Sequence, residues 1–165
     1  MKNIITTVNG VSTVVHDDPW SMPGEDDSGN RDYQIVSLER LLVLAESGES
    51  LQKLYGVVLH PDDDPGVLQP WLDSLPLIAL QFPRFSDGRA YSQAYLLRAR
   101  HGFEGELRAV GDVLRDQLAA MRHCGFSSFA VREDKSAEEA LKGLEVFDLI
   151  YARSVSTPQP LFRRR

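Results

Sequence analysis

Four short apolar runs punctuate the chain, starting near residues 55, 77, 106 and 128, and stretches with helical periodicity separate them. That alternation is the tightest constraint on the fold. Strands joined through helices run parallel, because a parallel pair needs a long crossover whereas an antiparallel pair closes in a two-residue turn. The runs are Tyr55–Leu59, Leu77–Gln81, Glu106–Val110 and Phe129–Val131. Asp62–Asp64, Pro65 and Gly66 open a short helix bearing Leu68, Trp71 and Leu72. Tyr91–Arg100 reads as the next helix, and another runs from Val113 to about His123. Ser37 can cap a helix over Leu38–Glu46 that places Leu38, Leu41, Leu42 and Ala45 on one face, with Ser47-Gly48 as its stop. Ser136-Ala137-Glu138-Glu139 has the capping-box spacing and opens a last helix. Right-handed crossovers lay the helices on the sheet faces. The expectation is an α/β fold with a small parallel sheet of about four to five strands and flanking helices. The sheet is either open and flavodoxin-like or half of a β/α barrel, since a full barrel takes ~250 residues.

Residues 4–15 alternate branched side chains around Asn9-Gly10, a dipeptide suited to a type I′ turn, and predict an N-terminal hairpin of Ile4–Val8 and Val11–Val15. His16–Arg31 contains Pro19, Pro23, Gly24, Gly29 and five acidic residues. So little apolar surface predicts a mobile loop, with Trp20 as its anchor to the body. Beyond Ser154, Thr157-Pro158-Gln159-Pro160-Leu161-Phe162 and three arginines read as extended. The organisation expected is a hairpin and mobile acidic loop over 1–32, an α/β domain over 33–154, and an extended basic tail over 155–165.

Composition removes several functions. With 18 basic and 24 acidic residues the chain carries a net charge of −6, which argues against general nucleic-acid affinity. One cysteine excludes an internal disulfide and a cysteine-built zinc or iron–sulfur cage. No apolar run approaches ~18 residues, so no membrane span is expected. The first residues lack a signal-peptide core, which predicts a cytoplasmic protein. No phosphate-loop or dinucleotide-binding glycine pattern occurs. His16, His60, His101 and His123 show no metal-ligand spacing, and no metal is expected.

In a parallel sheet the C-terminal ends of all strands share one edge, so the residues after each strand nominate a site. Leu59 is followed by His60 and Asp62–Asp64. After Gln81 come Arg84, Ser86, Asp87 and Arg89. Gly111 and Asp112 follow Val110, with Arg115 one turn on, and Arg132, Glu133 and Asp134 follow Val131. Arg84, Ser86, Asp87, Arg89, Asp112, Arg115 and Arg132 are therefore the candidate anion-binding residues, through forked guanidinium bonds and free backbone N–H groups. The plainer alternative makes the aspartates turn and cap residues and the arginines their ion-pair partners. Asp112 is expected to cap the helix at Val113, and Gly111 to have a positive φ or to contact a ligand. His60 is either a catalytic histidine or a plain loop residue. Cys124 reads as a structural thiol, with Gly125 as the helix stop. Phe162, Arg163, Arg164 and Arg165 form either a solvated terminus or a docking peptide for an acidic partner surface.

Four ordered motifs carry a family resemblance. They are Phe-Pro-Arg-Phe-Ser-Asp-Gly-Arg-Ala-Tyr-Ser (82–92), Gly-Glu-Leu-Arg-Ala-Val-Gly-Asp-Val-Leu-Arg-Asp-Gln-Leu (105–118), Arg-His-Cys-Gly-Phe (122–126) and Pro-Leu-Phe-Arg-Arg-Arg (160–165). Over roughly residues 33–165 the chain resembles the bacterial family catalogued as domain of unknown function 934. Its members carry the label of oxidoreductases of sulfite reduction, because their genes neighbour those of sulfite or nitrite reductase and phosphoadenylylsulfate reductase. The resemblance implies a role in sulfur assimilation beside sulfite or nitrite reductase or its electron donor, and supplies no agreed catalytic residues. The chain has no motif for NAD, haem or an iron–sulfur cluster. Its cofactor is unknown, and a flavin held without a standard motif is left open. The leading expectation is an accessory protein of assimilatory sulfite reduction. The alternative is a small oxyanion-binding enzyme or oxidoreductase that uses the arginine-rich loop 84–89.

Overall fold

The computed structural model describes residues 1–22, 33–48, 55–145 and 155. A hairpin of β1 (Ile4–Val8) and β2 (Val11–Val15) comes first, followed by β3 (Gln34–Ser37) and α1 (Leu38–Glu46). Then come β4 (Tyr55–Leu59), a 3₁₀ helix over Pro65–Trp71, β5 (Leu77–Phe82), and α2 (Arg89–Tyr95), which runs into a π-helical turn over Leu96–Arg100. β6 (Glu106–Gly111), a 3₁₀ turn over Arg115–Gln117, α3 (Leu118–Cys124), β7 (Ser128–Ala130) and α4 (Ala137–Glu145) complete the described order.

The strands among the described residues form one seven-stranded sheet in the order β2-β1-β7-β6-β5-β4-β3. From β3 to β7 neighbours are parallel, whereas β1 is antiparallel to both β7 and β2. The expected four-to-five-stranded parallel sheet is thus corrected to a larger, mixed one. Two causes account for the difference. The hairpin joins the sheet, Ile4–Thr6 pairing with Ala130–Ser128 along an edge that β7 would otherwise leave open. Gln34–Ser37 adds a strand so short that it merges into the start of α1, where the Ser37 hydroxyl accepts from Arg40 N–H at 3.3 Å.

The parallel strands step in one direction without reversal, so the sheet has no switch point and its order is not the flavodoxin-like one. Right-handed crossovers that keep stepping one way put every helix on the same face. The burial agrees. Leu41, Leu68, Leu97, Leu118, Met121 and Leu144 from the helical segments share one core with Val57, Leu59, Ile78, Leu80 and Phe82 from the strands.

The alternate strand residues (Ile4, Ile35, Val58, Leu77, Ala79 and Val110) pack with Trp20 on the other face. Trp20 is 6% exposed and meets Tyr33 edge-on at 5.5 Å. Gly56 leaves it room, since a Cβ there would lie 3.2 Å from the indole. On the same face Arg108 of β6 is only 1% exposed. Asp18 grips its guanidinium through both carboxylate oxygens at 2.8 and 2.7 Å, and Glu106 Oε1 accepts from its Nε and Nη2 at 2.9 and 2.7 Å. The Ser128 hydroxyl donates to the same Glu106 oxygen at 2.5 Å, and the Met1 amino group lies 3.4 Å from Asp18. Burial opposes the charge on Arg108, but the bonds and charges of Asp18 and Glu106 outweigh it and raise the pKa. The stretch read as a mobile loop is therefore pinned at its start by Asp18 and Trp20, and its residues 23–31 lie outside the described ones.

Removing one partner of a buried ion pair strands the other charge. Asp18→Ala should lower unfolding free energy by about 3–5 kcal/mol in urea titrations, and Arg108→Met in the same chain should restore part of it. Gly111, at the end of β6, has φ 95°, and a Cβ there would lie 2.4 Å from the Phe82 carbonyl oxygen. Gly111→Ala should therefore cost about 2 kcal/mol or more, read as a lowered melting temperature.

Candidate functional site

The C-terminal ends of β4, β5, β6 and β7 lie along one edge, as their parallel pairing requires. The turn after β5 is the most elaborately held part of it. Phe85 N–H donates to Asp112 Oδ2 at 2.9 Å, and the Phe85 carbonyl accepts from Gln117 Nε2 at 2.7 Å. Gln117 Oε1 in turn accepts from Leu114 N–H at 3.2 Å. Two side chains of the β6–α3 connection thus fix both peptide groups of a residue whose ring points outward, 61% exposed.

Asp112 does not cap a helix at Val113. One of its oxygens accepts Phe85 N–H and the other accepts Arg132 Nη1 at 2.9 Å, so neither serves the next turn. Val113 is fully buried in the core, and helical structure begins only at Arg115.

Carboxylates hold the forks of both Arg89 and Arg132. Arg89 meets Asp87 through Nε at 3.0 Å and Nη2 at 2.7 Å, and its Nη1 meets Asp62 at 2.5 Å. Asp87 also accepts the Arg89 backbone N–H at 3.1 Å, at the start of α2. Arg132 binds Asp134 through Nε at 2.6 Å and Nη2 at 2.8 Å, besides its bond to Asp112. The predicted Asp87, Arg89, Asp112 and Arg132 therefore fall into two ion-paired groups, Asp62–Asp87–Arg89 and Asp112–Arg132–Asp134, each with two carboxylates on one guanidinium, and the Phe85 peptide is bonded to the second. Arg84 and Ser86 are exposed on the same turn and form no ion pair or side-chain hydrogen bond among the described residues. Arg115 stands apart. It lines a cavity of about 430 Å³ with Leu114, Asp116, Asp134, Ser136 and Ala140.

The bond from Arg89 holds the Asp87 carboxyl down at about 2, and the bonds from Arg132 do the same for Asp134. Arg132 and then Phe85 N–H lower Asp112. These carboxylates are ionised at neutral pH and too weakly basic to take a substrate proton there. Hydrogen bonds to Asp134 and Asp112 raise Arg132. Through these bonds Asp87, Asp112 and Arg132 tie the loops of the edge to one another.

Sequence reasoning passed over Gln93 and Gln117. Gln93, 5% exposed, donates from Nε2 to the carbonyls of His60 and Asp63, both at 2.8 Å, and so fixes the loop after β4. Its signal was an amide between Ala90 and Ala94 on an apolar helix face. His60 is exposed on that loop. Burial raises the pKa of the half-buried Cys124 thiol, and Gly125 ends α3 with φ 108°. Among the described residues no His, Cys, Asp and Glu group is placed to hold a metal, and no helix is long and apolar enough to cross a membrane. Phe162, Arg163, Arg164 and Arg165 lie outside the described residues.

Asp87 and Asp134 bind a proton more readily in the unfolded chain, near 3.8, than in the folded one, near 2. Their contribution to stability is present above the unfolded value and lost as pH falls towards the folded one. Carboxyl NMR titration should place both midpoints near 2. Asp112→Ala should speed amide exchange at Phe85 about tenfold while leaving the fold intact.

No curated protein matches the chain. A bacterial protein family described as being of unknown function, DUF934, matches residues 56–162, a span that runs from within β4 through α4 and takes in every residue of the ion-paired edge. The chain belongs to the DUF934 family.

Proposed function

We propose that this protein is an accessory component of assimilatory sulfite reduction, acting in the cytoplasm beside a sulfite or nitrite reductase or its electron donor and carrying out no redox chemistry by itself. One observation carries the reading against an anion-processing enzyme. The guanidinium forks of Arg89 and Arg132, which would grip an oxyanion, already hold Asp87, Asp62, Asp112 and Asp134. An incoming anion would have to displace a carboxylate from each. What the edge offers outward is the Phe85 ring on a backbone fixed from both sides, beside the exposed Arg84. Aromatic and arginine side chains held in place in advance are the kind that anchor protein–protein contacts. The link to sulfite reduction rests on the family resemblance.

A second reading is favoured by Arg84 and Ser86, which share one turn and have no side-chain partner among the described residues. It makes loop 84–89 the oxyanion-binding site of a small enzyme or oxidoreductase. Titration calorimetry with sulfite, sulfate and phosphoadenylylsulfate tests it. Binding that Arg84→Ala abolishes would support this second reading.

Tagged protein purified from sulfate-grown cells tests the accessory reading, with and without residues Phe162–Arg165, together with the absorbance spectrum of the eluate. Co-elution of sulfite reductase, and slower sulfite reduction in a deletion strain, are the expected results. A reductase-free eluate with unchanged sulfite reduction would sink the proposal. A flavin or haem spectrum from the protein alone would replace it with a redox enzyme.

A further inference from the structure

The arginines that follow the parallel strands differ in what surrounds their guanidinium groups. Carboxylates fill the forks of Arg89 and Arg132, and Arg84 stands on an exposed turn. Arg115 instead lines the cavity of about 430 Å³ whose walls come from the β6–α3 connection, the loop after β7 and the start of α4. A volume of that size falls within the ~300–1,000 Å³ of small-molecule sites. Both loops leave the C-terminal ends of parallel strands, where binding groups collect on a rigid scaffold.

The backbone that carries Arg115 is fixed from two sides. Leu114 N–H donates to Gln117 Oε1 at 3.2 Å, and Gln117 N–H donates to the Leu114 carbonyl at 3.0 Å. α4 crosses so closely that a Cβ on Gly143 would lie 2.8 Å from the Arg115 carbonyl oxygen and 2.9 Å from its Cγ. Most polar groups around the cavity already have partners. Asp134 accepts from Arg132 at 2.6 and 2.8 Å, with Lys135 Nζ 3.7 Å away. Glu139 accepts from Lys142 Nζ at 2.6 Å, and the Ser136 hydroxyl donates to Glu138 while accepting from Glu139 N–H. Arg115 and Asp116 form no ion pair or side-chain hydrogen bond among the described residues. One cation and one anion thus face the same cavity unengaged, and Leu114 and the buried Ala140 add apolar surface to its wall.

We propose that this cavity binds a free α-amino acid, its carboxylate on the Arg115 fork, its ammonium on Asp116 and its side chain against Leu114 and Ala140. The charge inventory selects a zwitterion. A bare oxyanion would match Arg115 and meet Asp116 with the wrong sign, and a simple amine would do the reverse. A carboxylate fits a planar guanidinium through two parallel N–H···O bonds. The ammonium three atoms away on the same ligand then answers the neighbouring carboxylate, and neither charge is left unmatched. Arg115 and Asp116 belong neither to the ion-paired edge nor to the Phe85 turn, so the site stands whether or not the accessory reading holds.

NMR of the full chain tests the proposal, with each common α-amino acid, its amine and carboxylate analogues, and sulfate as titrants. At least one amino acid should move the amides of residues 114–116 and 136–140 saturably, with a Kd of about 1 mM or lower. The analogues that lack one charged group, and sulfate, should bind about tenfold more weakly or worse. Arg115 and Asp116 are exposed, so Arg115→Gln and Asp116→Asn should leave the rest of the spectrum unchanged. Each should weaken binding about tenfold or more, whereas Arg84→Ala should have no effect. Unmoved amides at about 10 mM of every amino acid would overturn the proposal. Sulfate or a plain carboxylate binding as tightly as the amino acid would replace it with an anion site. Binding that survives either substitution would place the ligand elsewhere.

Discussion

A parallel sheet wound in one direction covers a single face with its own crossovers, and the second face has to be closed by other means. Here the closure runs through a buried ion cluster. Arg108 projects from the middle of β6 into what would otherwise be an apolar surface, and Asp18 reaches it from the segment that follows the hairpin. A charge so deeply buried is tolerable only when its bonds are met, and Asp18, Glu106 and Ser128 between them meet them. Two apolar clusters are thus held apart by one sheet, one covered by helices and one by the strap around Trp20.

The ion-paired edge follows a different logic. Its aspartates and arginines are much more exposed than Arg108, so solvent screens their attraction and they contribute little to global stability. Their effect is geometric. Asp87 fixes the start of α2, Asp112 ties the turn after β5 to the loop after β7, and Gln117 closes the remaining side. Loops that leave a sheet edge are ordinarily its most mobile parts. Side chains hold these ones, and an exposed phenyl ring gains a defined position as a result.

Much of the fold could be read from the chain because its regular parts obey strong local rules. Asn9-Gly10 marked the hairpin, Ser37 the start of α1, and Gly125 the end of α3, each through a backbone geometry that few residues satisfy. What escaped depended on distant partners. β3 is too short to show a period, and only pairing with β4 makes it a strand. Leu44 rather than Leu42 is buried in α1, because the neighbouring sheet decides which part of a broad apolar stripe faces inward. Asp112 obeyed a bond to Phe85, 27 positions earlier, over the local capping rule. The candidate residues were placed on the right edge, but pattern alone cannot show that an arginine already has its carboxylate. Arg108 did leave a signal, a cation between Leu107 and Ala109 in an apolar run, which announces a buried partner without naming it.

The hairpin shows how closing one gap in a sheet relocates it. Without β1, the outer side of β7 would present bare backbone next to the loop that holds Arg132. Pairing Ile4–Thr6 with Ala130–Ser128 removes that exposure and places the Asn9-Gly10 turn at the far corner. Each antiparallel strand added to a sheet satisfies one row of groups and offers another, so the open row passes from β7 to β1 and then to β2. The opposite end ends that sequence with a backbone bridge at Ser21, formed by the same segment that carries Asp18 and Trp20. One segment thereby closes the helix-free face and caps one edge. Among the described residues it does not bond to β2, whose Ser12 and Val14 direct their N–H and C=O groups away from β1.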